Sequence, residues 1–344
     1  MTPRSTARIG PRPSVGRQLR RALLGRSDRD AERALGRLRI EEPGARAHAA
    51  AILEAFFAGY NHALEEEHPG ALDCRLETVE RSHRGFAAEG AAMALAVVDA
   101  LTLAGARRWR AFADGPGAAH VYMAHVGYGW AVARTPLRRP AGERTLAPLD
   151  PLLRWLAVDG YGFHAGFFDP ARHVAGRALP GGLAGYARRA FDQGLGRSLW
   201  FVEGFDAQRV ADRIASFETV RRADLWSGAG LACAYAGAPH EGAAEALLQA
   251  SGEAAAEYAQ GVAFGAEARA RAGNPVPHTE RACRAVWGRS VKDTAALVRT
   301  AAPDSGGPGD MGDTGDPGDS ADPGAYENWR RRVMALYTAG GRCS

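Results

Sequence analysis

The sequence predicts a mainly α protein whose two internally duplicated helical half-domains form one pseudo-twofold bundle, with few or no strands. Three observations predict this class. Apolar residues recur at spacings of three and four along most of the chain, as on the buried face of a helix. Few runs alternate in the manner of β-strands. Three sequence blocks near the start of the chain also recur, in the same order, in its second half.

The repeat is carried by blocks that begin at Gly59, Arg84 and Tyr122 in the first copy, and at Gly194, Arg222 and Tyr258 in the second. The distance along the chain from each block to its counterpart is nearly the same for all three. Nearly constant offsets indicate repeated structural units. The seam between two such halves is a natural place for a ligand cavity.

The N-terminal half is predicted to cover residues 15–145 and to follow a leader, residues 1–14, that is rich in Pro and Arg and is expected to be disordered. Its predicted elements are an Arg-rich helix at roughly 15–40, helices over Ala47–Leu64 and 86–104, and an apolar stretch from His120 to Ala133. A segment rich in Pro, Arg and Gly, Leu137–Pro148, marks the boundary between the halves.

The C-terminal half is predicted over residues 146–302, with a connecting segment at 146–180. Asp150-Pro151 predicts a helix cap followed by proline at the first helical position. A helix over Leu152–Val158 is expected to run into a turn at Asp159-Gly-Tyr-Gly-Phe-His164. Later helices are expected near Gly185–Trp200, from Asp206 through Phe217, and over Leu225–Ala236, Glu241–Arg271 and Thr279–Ala302. Val121–Val132 and Ser198–Val202 are the two candidate short strands.

The end of the chain changes composition. Residues 303–325 contain Gly, Pro and six Asp with almost no apolar side chains. Such a segment cannot bury enough surface to offset chain entropy, and a disordered linker is expected. Residues 326–344 are expected to hold a short terminal helix over Asn328–Tyr337.

The net charge of +4 is unevenly distributed. Residues 1–46 hold twelve Arg against five acids, but no aromatic side chains are interleaved among them and no nucleic-acid motif is present. A solvated basic arm is therefore favoured over nucleic-acid binding. The longest apolar run, Ala91–Ala106, is too short to cross a bilayer and contains Asp99, which argues against a membrane span. Four cysteines without CxxC spacing argue against a zinc site and favour a reduced, cytoplasmic setting.

No phosphate-binding loop, nucleophile elbow or metalloprotease motif is present. The densest polar group inside apolar sequence is Asp159-Gly-Tyr161-Gly-Phe163-His164. Asp159 and His164 would form an acid–base pair if the glycines folded the chain back. The alternative is a turn with an aspartate cap and a buried histidine whose hydrogen bonds are satisfied.

Differences between the two copies indicate where one half is specialised. The polar or aromatic residues that face small or apolar ones in the other copy include Glu89, His125, Asp224 and Trp226. Glu89 lies in a very apolar Ala-rich helix, where an ionised carboxylate is costly to bury without a partner. It is therefore either an acid with a raised pKa or ligand-binding function, or the ion-pair partner of an arginine.

The remaining candidate binding residues follow apolar or glycine-rich sequence. Glu203, at the end of Leu199-Trp-Phe-Val, is a candidate site rim, and His278 either lines a pocket or caps the next helix. The aromatic side chains expected to line a cavity are Trp155, Tyr161, Phe163, Trp200 and Trp226. No metal site is predicted, and the cofactor is left open.

Six motifs resemble one family, the domain of unknown function 1702 proteins that accompany enediyne polyketide synthases, over roughly 35–300. They are Arg84-Gly-Phe-Ala-Ala-Glu-Gly-Ala-Ala-Met-Ala, His120-Val-Tyr-Met, Leu156-Ala-Val-Asp-Gly-Tyr-Gly-Phe-His, Leu199-Trp-Phe-Val-Glu-Gly, Arg221-Arg-Ala-Asp-Leu-Trp-Ser-Gly-Ala-Gly and Ala272-Gly-Asn-Pro-Val-Pro-His-Thr. This chain has Ala88 where relatives often carry an aromatic residue. The Asp-rich tail lies outside the resemblance.

The resemblance implies a role in antibiotic biosynthesis: the maturation of a linear polyene, released by a polyketide synthase, towards the enediyne core, alongside other pathway proteins. It supplies no reaction and no catalytic residues. From the residues, one hypothesis is an enzyme or enzyme subunit that holds an apolar polyene between the halves and uses Glu89, Asp159 and His164 for proton transfer or electrostatic steering. The alternatives are a non-catalytic polyene carrier or scaffold, and a cofactor-free cyclase of another apolar substrate such as a terpenoid.

Overall fold

The computed structural model describes residues 15–66, 68–135, 139–303 and 324–340. The predicted disorder of residues 1–14, and of all but the ends of 303–325, lies outside these ranges. Within them, every regular element is a helix, which confirms the mainly α prediction.

The helices are described by their bounds in chain order. They are α1 Val15–Leu24, α2 Asp28–Leu35, α3 Pro43–Glu65, α4 Pro69–Glu77, α5 Arg84–Leu101, α6 Arg107–Ala113, α7 Val121–Arg134, α8 Glu143–Leu146, α9 Trp155–Phe168, α10 Tyr186–Val202, α11 Ala207–Ala215, α12 Thr219–Ala236, α13 Ala243–Ser251, α14 Ala255–Arg271, α15 Pro277–Trp287, α16 Val291–Ala301 and α17 Gly324–Gly340.

Both candidate strands are wrong, because they lie inside α7 and α10. Each of these helices is buried around most of its circumference, so its sequence lacks the periodicity that separates a helix from a buried strand. The three longest predicted helices are each divided into two. The divisions at Gly252 and Gly288 have positive φ, a backbone conformation that only glycine adopts at little steric cost.

The predicted turn at 159–164 is also wrong, because the segment lies inside α9. Its glycines serve close helix packing instead of chain reversal. A Cβ added at Gly160 would lie 2.1 Å from the carbonyl oxygen of Val126 in α7, and one at Gly162 would lie 2.2 Å from that of Phe191 in α10. The two glycines therefore let α9 approach a neighbour on each side.

Successive long helices pack antiparallel through such glycines. Between α9 and α10, Gly194 approaches Asp159 while Gly162 approaches Phe191, so the contact moves up one helix as it moves down the other. Reciprocal glycine contacts of this kind also join α3 to α5, α7 to α9, α10 to α12 and α12 to α14. Among the described residues, the core is therefore an up-and-down array of seven helices whose backbones nearly touch.

The structure does not confirm two duplicated halves. The crossing glycines recur at nearly equal intervals along the chain, at Gly127, Gly160, Gly194, Gly228 and Gly261. The offset between the two sequence copies thus corresponds to four steps of one helix each. The crossings run from α7 through α9 to α10 without interruption, so the predicted boundary between the halves is not a seam in the packing.

The array curls so that its first two helices, α3 and α5, approach α12 near its other end. His48 of α3 hydrogen-bonds through Nε2 to the carbonyl oxygen of Ala236 at the end of α12 (2.9 Å). Phe86 of α5 packs edge-to-face on Tyr235 of α12, with ring centroids 5.3 Å apart. Helices α3 and α5 therefore contact α12 directly, and the array surrounds an interior.

The terminal helix α17 packs across α14 and α16 at one end of this interior. Trp329 donates from Nε1 to the carbonyl oxygen of Val298 (2.8 Å), and the fully buried Arg330 forms an ion pair with Asp224 of α12 (2.8 Å). Across the described residues, no helix combines the length and hydrophobicity that a membrane span needs.

Candidate functional site

The interior contains two adjoining apolar compartments. Compartment 1 has a cavity volume of about 40 Å³, and its walls include Phe56, Phe86, Trp130, Phe163, Phe167 and Phe201. Compartment 2 has a cavity volume of about 30 Å³, and its walls include Met123, Leu156, Phe264, Val298, Tyr326 and Trp329. Both compartments are narrow, because about 10–15 Å³ is needed to hold a single water molecule. A bound chain therefore has to displace wall side chains.

Four polar side chains meet where the compartments adjoin, and they are called the polar cluster here: Glu89 of α5, Asp159 of α9, Arg197 of α10 and Tyr235 of α12. Arg197 and Tyr235 line both compartments, as does Leu231. All four side chains are buried. Groups from four different helices thus converge inside an otherwise apolar interior.

Arg197 and Asp159 form the ionic part of the cluster. One guanidinium nitrogen of Arg197 donates to Oδ1 of Asp159, and the guanidinium also lies over the ring of Phe163, 5.2 Å from its centroid. Burial raises the pKa of Asp159, and the adjacent guanidinium opposes that rise. Oδ2 of Asp159 and Nε of Arg197 are buried and have no hydrogen-bond partner among the described residues. The pair therefore keeps one acceptor and one donor for another molecule.

Glu89 is the neutral acid of the cluster. Burial raises its pKa to about 8, the positive charge of Arg197 opposes the rise, and the negative charge of Asp159 adds to it. Within the described part of the chain, its carboxyl group makes no hydrogen bond and no ion pair. Glu89 is therefore protonated near neutral pH, and it is not the structural ion-pair partner that one interpretation of the sequence offered.

Tyr235 completes the cluster with a hydroxyl group that is buried and has no hydrogen-bond partner among the described residues. A Cβ added at Gly85 would lie 1.7 Å from this hydroxyl oxygen, so the glycine leaves the room that the hydroxyl occupies. Burial raises the pKa of Tyr235, and the ring is covered by the guanidinium of Arg269 at 4.2 Å. The hydroxyl is therefore a protonated donor that retains its hydrogen for another molecule.

Unsatisfied buried polar atoms are rare in folded proteins, and a group of them in one place indicates a site for water or a ligand. Among the described residues, the cluster contributes Asp159 Oδ2, Arg197 Nε and Tyr235 Oη, and the wall residue Trp130 adds an unpaired Nε1. The arrangement suits a ligand that is mostly apolar and carries a small number of polar atoms.

Of the predicted catalytic trio, Glu89 and Asp159 come together and His164 does not. Residues five apart on a continuous helix point about 140° away from each other. The ring of His164 instead packs against Phe168 and Trp130, at 4.6 and 5.6 Å between centroids. Burial and the nearby positive charges of Arg134, Arg26 and Arg37 lower its pKa to about 3. The acid–base pair of Asp159 and His164 is therefore wrong.

Phe163 is the one predicted aromatic residue that lines a compartment, where it stacks on Trp130 at 5.2 Å. Tyr161 is half-buried beside Phe191, and Trp155 packs edge-to-face on Tyr186. His125 hydrogen-bonds through Nδ1 to the carbonyl oxygen one turn earlier in α7. These last three residues lie outside both compartments.

Three further predicted residues have structural partners. Trp200 donates from Nε1 to the carbonyl oxygen of Gly237 (2.8 Å), and His278 hydrogen-bonds through Nε2 to that of Tyr235 (3.1 Å). Both interactions satisfy carbonyl groups at the end of α12. Glu203 is fully buried between Arg39 and Arg213, at 2.9 and 2.7 Å. None of the three lines a compartment.

The last two predicted residues lie on α12, and neither lines a compartment. Asp224 joins α12 to Arg189 and Arg330 through ion pairs of 3.0 and 2.8 Å, so it anchors α17. Trp226 packs on Tyr258 and lines a surface groove beside α11 and α13. The carboxylate of Asp224 and the ring of Trp226 therefore hold other helices against α12.

Sequence reasoning missed Arg197 and Tyr235. Arg197 lies in a stretch of α10, Ala190–Val202, in which every residue is buried. A charged side chain in such a run must be paired or functional, which is the signal that singles out Glu89 as well. Tyr235 carries no such signal, because a tyrosine in an apolar helix is ordinarily part of the core.

Across the described ranges, no group of three or more His, Cys, Asp or Glu side chains has a geometry that could hold a metal ion. Comparison with protein-family models matches residues 15–337 to DUF1702, which is described as a protein of unknown function. No curated protein and no solved structure matches the chain. The matched range includes all four residues of the polar cluster.

Proposed function

The chain belongs to the DUF1702 family, and we propose that it binds an extended, apolar, polyene-type molecule in its two-compartment interior. The proposed role is in antibiotic biosynthesis, in the maturation of a linear polyene towards an enediyne core. The pathway rests on the sequence motifs that resemble enediyne-associated proteins. The binding rests on the interior itself.

The observation that carries the proposal is the unsatisfied polar cluster at the junction of two apolar compartments. An apolar cavity by itself is an ordinary packing defect, and structural polar groups are ordinarily paired. Here Arg197 and Tyr235 face both compartments and retain unpaired atoms. A ligand with a polar group between apolar arms would fill the two compartments and pair with the polar atoms of the cluster.

The walls favour a thin, unsaturated chain. Trp130 and Phe163 stack with a tilt of 29°, and Phe163 and Phe167 with a tilt of 15°, so compartment 1 presents flat aromatic faces. Such faces pack well against a planar conjugated system. The narrow width excludes a bulky globular ligand unless the helices separate. Enclosure would also keep a reactive polyene away from water and from other polyenes.

One observation favours a catalytic version over a passive carrier. A carboxyl group whose pKa is about 8 is protonated near neutral pH and still able to give up its proton, which are the properties of a general acid. Glu89 lines compartment 1, so its proton faces the space that the chain would occupy. In the catalytic version, Glu89→Gln keeps ligand binding and loses conversion. In the carrier version, Glu89→Gln leaves ligand binding unchanged, and the parent chain shows no conversion that could be lost.

The binding proposal is tested by narrowing each compartment. Ala232→Leu fills part of compartment 1 and Ala268→Leu part of compartment 2, while Ala223→Leu places the same side chain in the surface groove. The purified full chain is titrated with a linear conjugated polyene, and absorbance and the thermal midpoint are followed. Binding should weaken about tenfold or more, a loss of roughly 1.4 kcal/mol, in the two interior variants alone.

Circular dichroism on the same samples establishes that the variants are folded. Equal polyene affinity in all three variants and the parent chain would place the ligand elsewhere and overturn the proposal. A terpenoid that binds and is cyclised where the polyene is not would favour the cyclase alternative.

A further inference from the structure

We propose that the ligand carries a neutral oxygen within its chain, as a carbonyl or a hydroxyl, and that the polar cluster binds this oxygen while apolar arms extend into both compartments. The inference rests on the proposed function and makes its substrate class more specific. It distinguishes an oxygen inside the chain from a head group at its end, and a neutral oxygen from an ionised one.

The position of the cluster carries the first part. Along α9, Leu156 lines compartment 2, Asp159 belongs to the cluster, and Phe167 lines compartment 1. At 1.5 Å per residue, this row spans roughly 16 Å with apolar walls on both sides of Asp159. A ligand with its polar group at one end would fill one compartment and leave the other empty. An oxygen within the chain lets the ligand fill both.

The hydrogen-bonding inventory carries the second part. Nε of Arg197, the hydroxyl of Tyr235 and the carboxylic acid of Glu89 are three donors without an acceptor among the described residues. Oδ2 of Asp159 is an unpaired acceptor, and the hydroxyl of Tyr235 and the acid group of Glu89 can accept as well as donate. Two of these donors suffice for the two lone pairs of a carbonyl oxygen. A hydroxyl also fits, because it accepts from two donors and donates to Asp159.

The charges carry the third part. The positive charge of Arg197 is already paired with Asp159, and Glu89 is protonated near neutral pH. The four residues of the cluster therefore carry no net positive charge for a carboxylate or phosphate. Arg269, which covers the ring of Tyr235, directs its guanidinium to the carbonyl oxygens of Tyr235 and Ser82. Burying an ionised head group without a counter-charge is strongly unfavourable, whereas a neutral oxygen needs only its hydrogen bonds. Neutral ligands should therefore bind more tightly than their ionised counterparts.

The test uses four probes with fifteen carbons each, delivered from cyclodextrin to the full chain: the ketone with its carbonyl on the central carbon, the ketone with its carbonyl on the second carbon, the hydrocarbon and the fatty acid. Affinities are measured by displacement of a fluorescent polyene. The central ketone should bind at least tenfold more tightly than its isomer, the hydrocarbon or the fatty acid at neutral pH.

Tyr235→Phe tests the cluster with little risk to folding, because the hydroxyl that it removes has no partner among the described residues. The preference for the central ketone should fall by at least threefold, while hydrocarbon affinity stays within twofold. Tyr258→Phe is the matched control. Its hydroxyl is also buried, but it donates to the carbonyl oxygen of Ala244 and lies outside both compartments. That variant should keep the full preference.

The outcomes separate the inference from the proposed function. Equal affinity for the two ketones, or a preference that Tyr235→Phe leaves unchanged, would overturn the inference while the apolar binding function stands. Tighter binding of the ionised fatty acid than of the central ketone would overturn the neutral-ligand argument. If the polyene binds and none of the four probes displaces it, the inference alone is overturned. If the polyene itself does not bind, the proposed function fails as well.

Discussion

Gly194→Ala should separate two helices at the centre of the array and lower the stability of the whole chain. The added Cβ would lie 1.8 Å from the carbonyl oxygen of Asp159, 2.6 Å from its carbonyl carbon and 2.9 Å from its Cα. All three atoms belong to the backbone of α9. No side-chain rotation can relieve the overlap, so α9 and α10 have to move apart.

The size of the effect follows from the distances. Restoring an ordinary separation of roughly 3.5 Å requires a displacement of about 1.7 Å. Overpacking in a core typically costs about 1–3 kcal/mol, and occasionally more. Because the obstacle here is backbone, we expect at least about 3 kcal/mol. With an unfolding entropy of roughly 2.1 cal/mol/K per residue, this corresponds to a fall of about 4 °C in Tm for a chain of 344 residues.

The assay compares thermal and urea unfolding, followed by circular dichroism, for Gly194→Ala and Gly44→Ala. Gly44 also lies in a helix, α3, but a Cβ added there would have no described residue within 4 Å. That control should be neutral or more stable by about 0.5–1 kcal/mol, because alanine loses less backbone entropy on folding. Polyene binding should also weaken in Gly194→Ala, since α10 carries Arg197.

Equal stabilities of Gly194→Ala and Gly44→Ala would refute the argument that glycine sets the spacing of the array. If both variants lost the same amount of stability, the cause would be helix propensity or a change in the unfolded state, and not the contact between α9 and α10.

Two other predictions concern buried charge. The pKa of Glu89 in the folded chain is raised above its ordinary value of 4.5 to about 8, so the folded state holds the extra proton and stability falls as pH rises from about 5 to about 8. In urea titrations at several pH values, Glu89→Gln should remove this fall in stability, which is on the order of a few kcal/mol. A fall that persists in the variant would contradict the assignment. Arg330→Ala should cost about 3 kcal/mol and expose α17 to proteolysis, because it removes the fully buried partner of Asp224 and Glu327 and leaves them only partly exposed arginines. Arg331→Ala, which removes an exposed partner of the same Glu327, should cost under about 1 kcal/mol. Equal protease sensitivity of the two variants would argue against this anchor.

Local sequence patterns predicted the helical class and most helix positions. The apolar spacing of Ala47–Leu64 predicted α3, and the Asp206 cap predicted the start of α11, where its side chain accepts from the backbone of Arg209. The same patterns failed where glycine has two uses. Glycine ends helices at Gly252 and Gly288, but it holds α9 against both neighbours at Gly160 and Gly162. The residue type is identical, and the partner across the crossing decides which use applies.

The candidate site was predicted only in part, because the partners of its residues are also decided by tertiary packing. Glu89 stands out in sequence because a carboxylate in an Ala-rich helix conflicts with its surroundings. Its convergence with Asp159, Arg197 and Tyr235 brings together four helices that are widely separated along the chain. Nothing in the spacing of these residues in the sequence predicts that meeting.

By itself, the sequence determined that the chain is helical, roughly where most of its long helices lie, which acid is out of place in its surroundings, and that units of similar sequence recur. These properties depend on interactions between residues within a few turns of one another. The tertiary structure alone decided that the recurring unit is a single antiparallel helix, that α9 is continuous through Asp159 and His164, and that the cluster lies between two apolar compartments. Those features depend on which backbones can approach closely. A glycine permits close approach, but its position in the sequence does not determine which helix packs against it.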